Sequence, residues 1–299
     1  MMRNLMLVLA YDGADFHGWQ HQPGLRTVQD TLEKALRRTV RHQVVVIGCS
    51  RTDSGVHAKG YVANFFTTSP TRDYAIFRSI GARLPKDMTL LHLAEVPLTF
   101  HATKSAISKL YRYRIHNVSN RPCEQLTQRY VYHFWQPLDV DRMQAAADAW
   151  VGTHDFTSFA SAGNDRQTNV RTIRRIEFHR EGPEIRMDIE GEGFLYKQVR
   201  NMMGTLVEIG RGHWGVERAK EILDARDRSR AGTTAPARGL CLQWVRYDIP
   251  SLPPPTEEMA ARAAAAEPPA GIFRATVDSH ARSTAPLPDG VEIVEAPPA

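Results

Sequence analysis

The stretch VVVIGCSRTDSGVHAKGYVANFFT, residues 44–67, decides how the first half of the chain is read. An apolar run over 44–49 stops at a polar, glycine-containing segment, and a second apolar run over 61–67 follows it. Short apolar runs rich in β-branched and aromatic residues, bounded by turn formers, predict two strands joined by residues 50–60. That connection is long for a hairpin turn and places Arg51, Asp53 and His57 within seven positions.

Working outward, residues 5–11 form an apolar strand. Thr27-Val28-Gln29-Asp30 reads as a capping box that opens a helix with Val28, Leu32, Ala35, Leu36 and Val40 on one face. After the central strands, residues 74–84 predict a helix stopped by Pro85, and 90–96 a strand. The order is β-α-β-β-α-β, a ferredoxin-like unit. The second half repeats it: a strand at 111–115, a helix at 140–151, a hairpin of 174–179 and 185–189 around Glu181-Gly182-Pro183, helices at 194–209 and 216–225, and a closing strand at 241–247. The fold expected is α+β, with two ferredoxin-like halves, 1–105 and 106–250, around a central antiparallel or mixed sheet. A cleft between halves is the natural place for a site.

Residues 251–299 are different material. They hold nine of the 18 prolines and an alanine run, Ala263 to Ala266. This composition predicts a disordered tail with a brief helix near 257–266. The tail carries three basic and seven acidic residues, so the net charge of +5 hides a body, 1–250, of 35 − 26 = +9. A basic folded body suits a polyanionic partner, nucleic acid being the commonest. No apolar run reaches the ~18 residues of a membrane span. The opening MMRNLMLVLAYDGADF has too short an apolar run for a signal peptide and reads as a first strand. Three widely spaced cysteines, Cys49, Cys123 and Cys241, argue against a disulfide framework and a zinc site, and for a reducing cytoplasm.

Taken alone, Thr52-Asp53-Ser54-Gly55 is an ordinary turn in which Asp53 bonds its own backbone and Gly55 supplies a positive φ. Three ionisable groups in one long loop point further, to a site. Asp-Ser-Gly matches half of an aspartic-protease dyad. That chemistry needs two carboxylates sharing a proton, and no second copy exists in the chain. His57 has no histidine at i+4 and no cysteine pair to complete a metal site. A single aspartate kept ionised by arginine, acting as nucleophile or base, fits the residues best. His57 then reads as a hydrogen bonder that fixes the loop.

The pattern resembles the tRNA pseudouridine synthase A family over roughly residues 4–248. The family's Gly-Arg-Thr-Asp-Ala-Gly-Val-His-Ala appears as Ser50-Arg51-Thr52-Asp53-Ser54-Gly55-Val56-His57-Ala58. Five further blocks follow the family's order: Tyr11-Asp12-Gly13 with Phe16-His17-Gly18-Trp19-Gln20; Phe100-His101-Ala102 through Tyr111-Arg112-Tyr113; 155–159; 199–204; and 235–242. The resemblance implies two ferredoxin-like halves around a central sheet, a homodimer acting on tRNA, and no cofactor. It implies isomerisation of uridine to pseudouridine in the anticodon stem-loop. Asp53 takes the place of the catalytic aspartate and Arg200 that of the arginine pairing with it. Tyr111 matches the tyrosine that stacks on the target base, Arg51 an arginine associated with opening the nucleotide, and Leu240 the apolar edge of the pocket. Ser50 and Ser54 replace glycine and alanine, and Thr103-Lys104 stands where the family has Arg-Phe.

RNA affinity comes mainly from phosphate contacts. The candidates are Arg37, Arg38 and Arg41 on the first helix, Lys104 and Lys109 between the halves, and Arg166, Arg171, Arg174 and Arg175 in the second half. Trp19 reads as core. Two other readings stay open at this level: a dimeric aspartic protease, and an RNA-binding protein without turnover.

Overall fold

A computed structural model describes residues 1–120, 128–161, 163, 167–248, 271–272 and 291–292. The chain divides into two compact units, Met1–Ile107 with the chain from Gln243, and Ser108–Leu242.

The first unit runs β1 (Arg3–Tyr11), α1 (Val28–Val40), β2 (Ile47–Gly48), β3 (His57–Thr67), α2 (Asp73–Gly81) and β4 (Met88–Val96). Its sheet is ordered β4-β1-β3 with β2 on β3, every pair antiparallel. This is the split β-α-β arrangement that the element order predicts. Thr27 caps α1 by accepting from the Asp30 N–H at 3.3 Å. Asp30 does not complete the box; its carboxylate is engaged by Lys34 Nζ at 2.6 Å. The five apolar residues expected on the inner face of α1 are all buried.

Several boundaries differ from the sequence reading. Only Ile47 and Gly48 of the expected second strand pair. Val44 and Val46 are buried, whereas Val45 is exposed. The Val46 backbone bonds to side chains of α1, its N–H donating to Glu33 at 3.0 Å and its carbonyl accepting from Gln29 at 3.2 Å, so hydrophobicity over 44–46 reflects packing on α1 rather than strand pairing. β3 starts at His57 rather than Tyr61, which shortens the connection to 49–56. α2 ends at Gly81, three residues short of the expected Leu84, and its last carbonyls are taken up by turn N–H groups at Ala82, Arg83 and Leu84.

The second unit contains β5 (Ala106–Asn117), β6 (Tyr132–Phe134), α3 (Val140–Asp148), β7 (Gly152–Asp155), β8 (Val170–Glu181), β9 (Glu184–Gly191), α4 (Gln198–Gly210), α5 (Arg218–Ala225) and β10 (Leu240–Tyr247), whose last residues return to the first unit. β5, β9, β8 and β7 are neighbours in that order and antiparallel. β6 runs parallel to β5, which makes the sheet mixed. Neither β6 nor β7 is evident from periodicity, being only three and four residues long. α4 begins at Gln198 rather than Phe194 because Lys197 is left-handed at φ 60°. The inner face of the sheet holds Tyr113, Ile115, Met187 and Ile189. α3 packs on α4 and β8, and the Trp150 Nε1–H donates to the Ala219 carbonyl at 3.0 Å.

In the tail, the described residues are two short strands, Gly271–Ile272 and Val291–Glu292, paired in parallel. The helix expected near 257–266 lies outside the described residues, as do Cys123 and Arg166.

One buried polar group makes the first unit sensitive to acid. His92, opposite Val8 in the sheet, is 5% exposed and its Nε2 meets no hydrogen-bond partner. Burial pulls its pKa down to about 4 from 6.5. The unfolded chain therefore takes up this proton first as pH falls below 6.5, and stability is lost between 6.5 and 4. At pH 4.5 the loss from this residue is roughly 2–3 kcal/mol. Urea unfolding of the wild type and His92→Leu at pH 7 and 4.5 measures it. The variant should lose less stability than the wild type on acidification, and equal losses would assign the acid sensitivity elsewhere.

Candidate active site

In the first unit the loop 49–56 is moulded onto residues 11–19. The Val56 N–H donates to the Asp53 carbonyl at 3.1 Å, closing a turn whose third residue, Gly55, takes φ 80°. The Phe16 carbonyl accepts from the Gly55 N–H at 3.3 Å and from the Ser54 hydroxyl at 3.2 Å. Serine in place of alanine at 54 thus adds a tie to the mould. The Trp19 N–H donates to the Thr52 carbonyl at 3.0 Å, and the Thr52 and Tyr11 hydroxyls bond at 2.9 Å. His57 Nδ1 accepts from the Gly13 N–H at 3.1 Å and lies 3.1 Å from Asp12 Oδ1. His57 is buried and fixes the loop, as the residue pattern predicts.

Two glycines let these segments touch. A Cβ on Gly13 would overlap the Val56 carbonyl oxygen, and one on Gly18, at φ 82°, would sit 2.7 Å from the Thr52 carbonyl oxygen. Behind the mould, Trp19 stacks on Tyr61 with centroids 4.1 Å apart, and both are buried. The Arg26 guanidinium lies 4.0 Å over the Phe16 ring and forks to both Asp87 oxygens at 2.7 Å. Thr103, where the family has arginine, donates to the Gly48 carbonyl at 2.5 Å, just before the loop. The backbone on either side of Asp53 is therefore held from several directions. Asp53 itself is half-buried and Arg51 exposed.

In the second unit α4 carries Arg200, half-buried. Its Nε–H donates to the Ala235 carbonyl at 2.8 Å, and the Ala235 N–H returns a bond to the Arg200 carbonyl at 3.1 Å. The Tyr113 hydroxyl donates to the next carbonyl, Pro236, at 2.7 Å. Tyr113 is fully buried, and burial raises its phenol well above the ordinary range. It is a core residue. Gly239 lies against its ring, and buried Leu240 follows at the start of β10.

The segment 232–235 crosses α4 so closely that a Cβ on Gly204 would overlap the Thr233 carbonyl oxygen. Asn201 is fully buried, with its amide satisfied on both sides. Nδ2 donates to the Phe159 carbonyl at 2.8 Å, and Oδ1 accepts from Arg228 at 2.9 Å and Thr234 at 2.7 Å. Arg200, Asn201 and Gly204 thus tie one helix to the loops around it. Sequence reasoning marks the motif but not these jobs, since every partner is distant along the chain. Tyr111 is buried on β5, edge-on to Phe194 at 5.3 Å.

The phosphate candidates separate by exposure. Arg38, Arg41, Lys104 and Arg174 are exposed, and Arg37 and Arg171 half-buried. Arg37 Nε donates to the Glu33 carbonyl at 3.2 Å, Arg171 to the Thr168 carbonyl at 2.9 Å, and Arg174 pairs with Glu192 at 3.2 Å. Arg175 is held by Glu177 and Glu190. Lys109 corrects the sequence reading: at 6% exposure, opposite Gly191 on β9, it is not a surface cation. Among the described residues, no group of three or more His, Cys, Asp or Glu side chains could hold a metal ion.

Comparison with known proteins gives this arrangement a family. A model described as tRNA pseudouridine synthase matches residues 7–103 and 146–248, which include Arg51, Asp53, Arg200 and Leu240 but not Tyr111. The chain is 44% identical over 246 residues to tRNA pseudouridine synthase A of Acetivibrio thermocellus, covering 82% of this chain and 100% of that one. It is 42% identical to tRNA pseudouridine synthase A 2 of Clostridium perfringens over the same shares. With tRNA pseudouridine synthase A of Halalkalibacterium halodurans the identity is 43%, over 80% of this chain and 90% of that one. The chain belongs to the tRNA pseudouridine synthase family.

Proposed function

We propose that this protein isomerises uridine to pseudouridine in the anticodon stem-loop of tRNA. The observation that carries the reading is the Asp53 loop, a carboxylate on a turn held rigidly by residues 11–19 in a chain of this family. Asp53 is the nucleophile, Arg200 the second catalytic residue, Tyr111 the stacking residue, Arg51 a contact to the opened nucleotide and Leu240 part of the apolar edge.

The chemistry follows from charge. As the N1–C1′ bond breaks, its electron pair stays on uracil and C1′ becomes cationic. An ionised carboxylate offsets that charge, by addition or by electrostatics. The uracil turns, C5 bonds to C1′ as any bond from Asp53 to C1′ breaks, the C5 proton passes to water, and N1 takes a proton in return. The reaction is redox-neutral and draws on no co-substrate, which supports a cofactor-independent enzyme. The target base must leave its stack, at a cost of a few kcal/mol, and an aromatic face offsets part of it. The exposed cations Arg38, Arg41, Lys104 and Arg174, with Arg37 and Arg171 beside them, supply phosphate contacts.

We infer a cytoplasmic homodimer, the assembly that the family resemblance implies. Among the described residues no helix is long and apolar enough to cross a membrane. The test is release of tritium from tRNA labelled at uracil C5, with no cofactor or metal added. Release into water is expected. A folded protein that binds the RNA and releases nothing would instead be an RNA-binding protein without turnover.

A further inference from the structure

The segment that enters α4 carries a second aromatic face. Its backbone is fixed at several points. The Leu195 N–H donates to Gln198 Oε1 at 2.8 Å, the Gln198 N–H to the Leu195 carbonyl at 3.1 Å, and the Ser161 N–H to the Tyr196 carbonyl at 3.2 Å. Lys197 sits in the left-handed region at φ 60° and ψ 10°, a strained choice for a residue with a side chain. On this rigid segment Leu195 points into the core and Phe194 supports Tyr111 edge-on. Tyr196 is instead 42% exposed, with Lys197 Nζ 4.8 Å from its ring centroid.

Among the described residues three rings have a cation over them. Phe16 is buried beneath an arginine already forked to Asp87, and Trp214 is half-buried. Tyr196 is the exposed one, and among the described residues Lys197 pairs with no carboxylate. A ring held outward, with an ammonium over one face that meets no carboxylate among the described residues, fits unpaired RNA. A base stacks on the ring face opposite the ammonium and its phosphate meets the cation.

We propose that Tyr196 stacks on the base of a nucleotide adjacent to the target uridine and that Lys197 contacts its phosphate. This rests on the uridine-isomerase reading and on Tyr111 as the platform for the target base itself. Tyr196 then helps hold the opened loop while Tyr111 receives the target.

The experiment uses full-length protein and an anticodon stem-loop RNA with 2-aminopurine on the 5′ or the 3′ side of the target uridine. Binding is followed by fluorescence in the Asp53→Ala background, so that no turnover intervenes, and KM and kcat are read by tritium release in the wild-type background. Tyr196→Ala should weaken binding and raise KM about tenfold, leave kcat within about twofold, and raise emission from one of the two labels. Tyr196→Phe, which keeps the face, should restore all three. Lys197→Gln should lower the slope of log Kd against log salt by about 0.7–0.9. Binding within twofold of the parent and unchanged emission from both labels, in a Tyr196→Ala protein that still releases tritium, overturns the assignment. So does an altered oligomeric state with unchanged RNA affinity, which would make Tyr196 a protein contact. Absence of tritium release by the wild type overturns the isomerase reading itself, and this assignment with it.

Discussion

Asp53→Ala releases tritium from C5 more slowly than wild type by a factor on the order of 10⁴ or greater, while its affinity for tRNA stays within a few-fold. The effect is large because nothing near Asp53 in its own loop can replace a carboxylate. Thr52 is committed to Tyr11, Ser54 to the Phe16 carbonyl and His57 to Gly13. Binding is spared because affinity comes from dispersed phosphate contacts. Asp53→Asn keeps the volume and removes the charge, and should be as inactive as the alanine variant. Wild-type rates in Asp53→Asn would show that charge at this position is irrelevant, and the nucleophile would have to be sought elsewhere.

Gly13→Ala gives the second-largest effect, although this residue is not proposed to touch substrate. A Cβ at position 13 has no room, because it would overlap the Val56 carbonyl oxygen. Backbone cannot swing aside as a flexible side chain can, so the two segments must part. Separation stretches the Gly13 N–H bond to His57 and carries the Asp53 turn with it. A shift of about 1 Å in a catalytic group costs roughly 10²-fold in rate. The variant should therefore lose about two orders of magnitude in kcat with little change in KM. It should also unfold at lower urea, by more than about 2 kcal/mol. Ala14→Gly, one residue on, is the control for general loosening of this turn. Wild-type kcat in Gly13→Ala would mean that the mould does not set the position of the loop.

Much of the fold is legible from local pattern. The five apolar positions of α1 recur at helical spacing and are all buried, and Thr27 caps the helix. Gly182 sits in the predicted hairpin turn with φ 54°. Pattern fails where local signals are weak or misleading. Val45 is as apolar as its neighbours yet 74% exposed. Helical periodicity suggests that α4 starts at Phe194, but Lys197 turns the chain the other way. β6 and β7 are too short to show a period.

The candidate site divides along the same line. Arg51, Asp53, Arg200, Tyr111 and Leu240 lie in blocks that resemble the family, and residue type together with order along the chain is what a sequence carries. Spacing alone could not separate Tyr111 from Tyr113, which lie two apart on one strand and face the same way. The structure distinguishes their surroundings: Tyr113 donates its hydroxyl to the Pro236 carbonyl, whereas Tyr111 meets Phe194 edge-on. By residue type Lys109 reads as a surface cation, and its burial removes it from that set.

By itself, then, the sequence determined the element order of the first unit and the family, and it marked Asp53 as the candidate carboxylate, since each is written in nearby residues or in their succession. Tertiary structure alone decided what holds that carboxylate in place. Gly13 against Val56, Phe16 beneath Ser54 and Gly55, and Arg26 between Phe16 and Asp87 are contacts between segments far apart in the chain. They depend on packing distances that no local periodicity encodes.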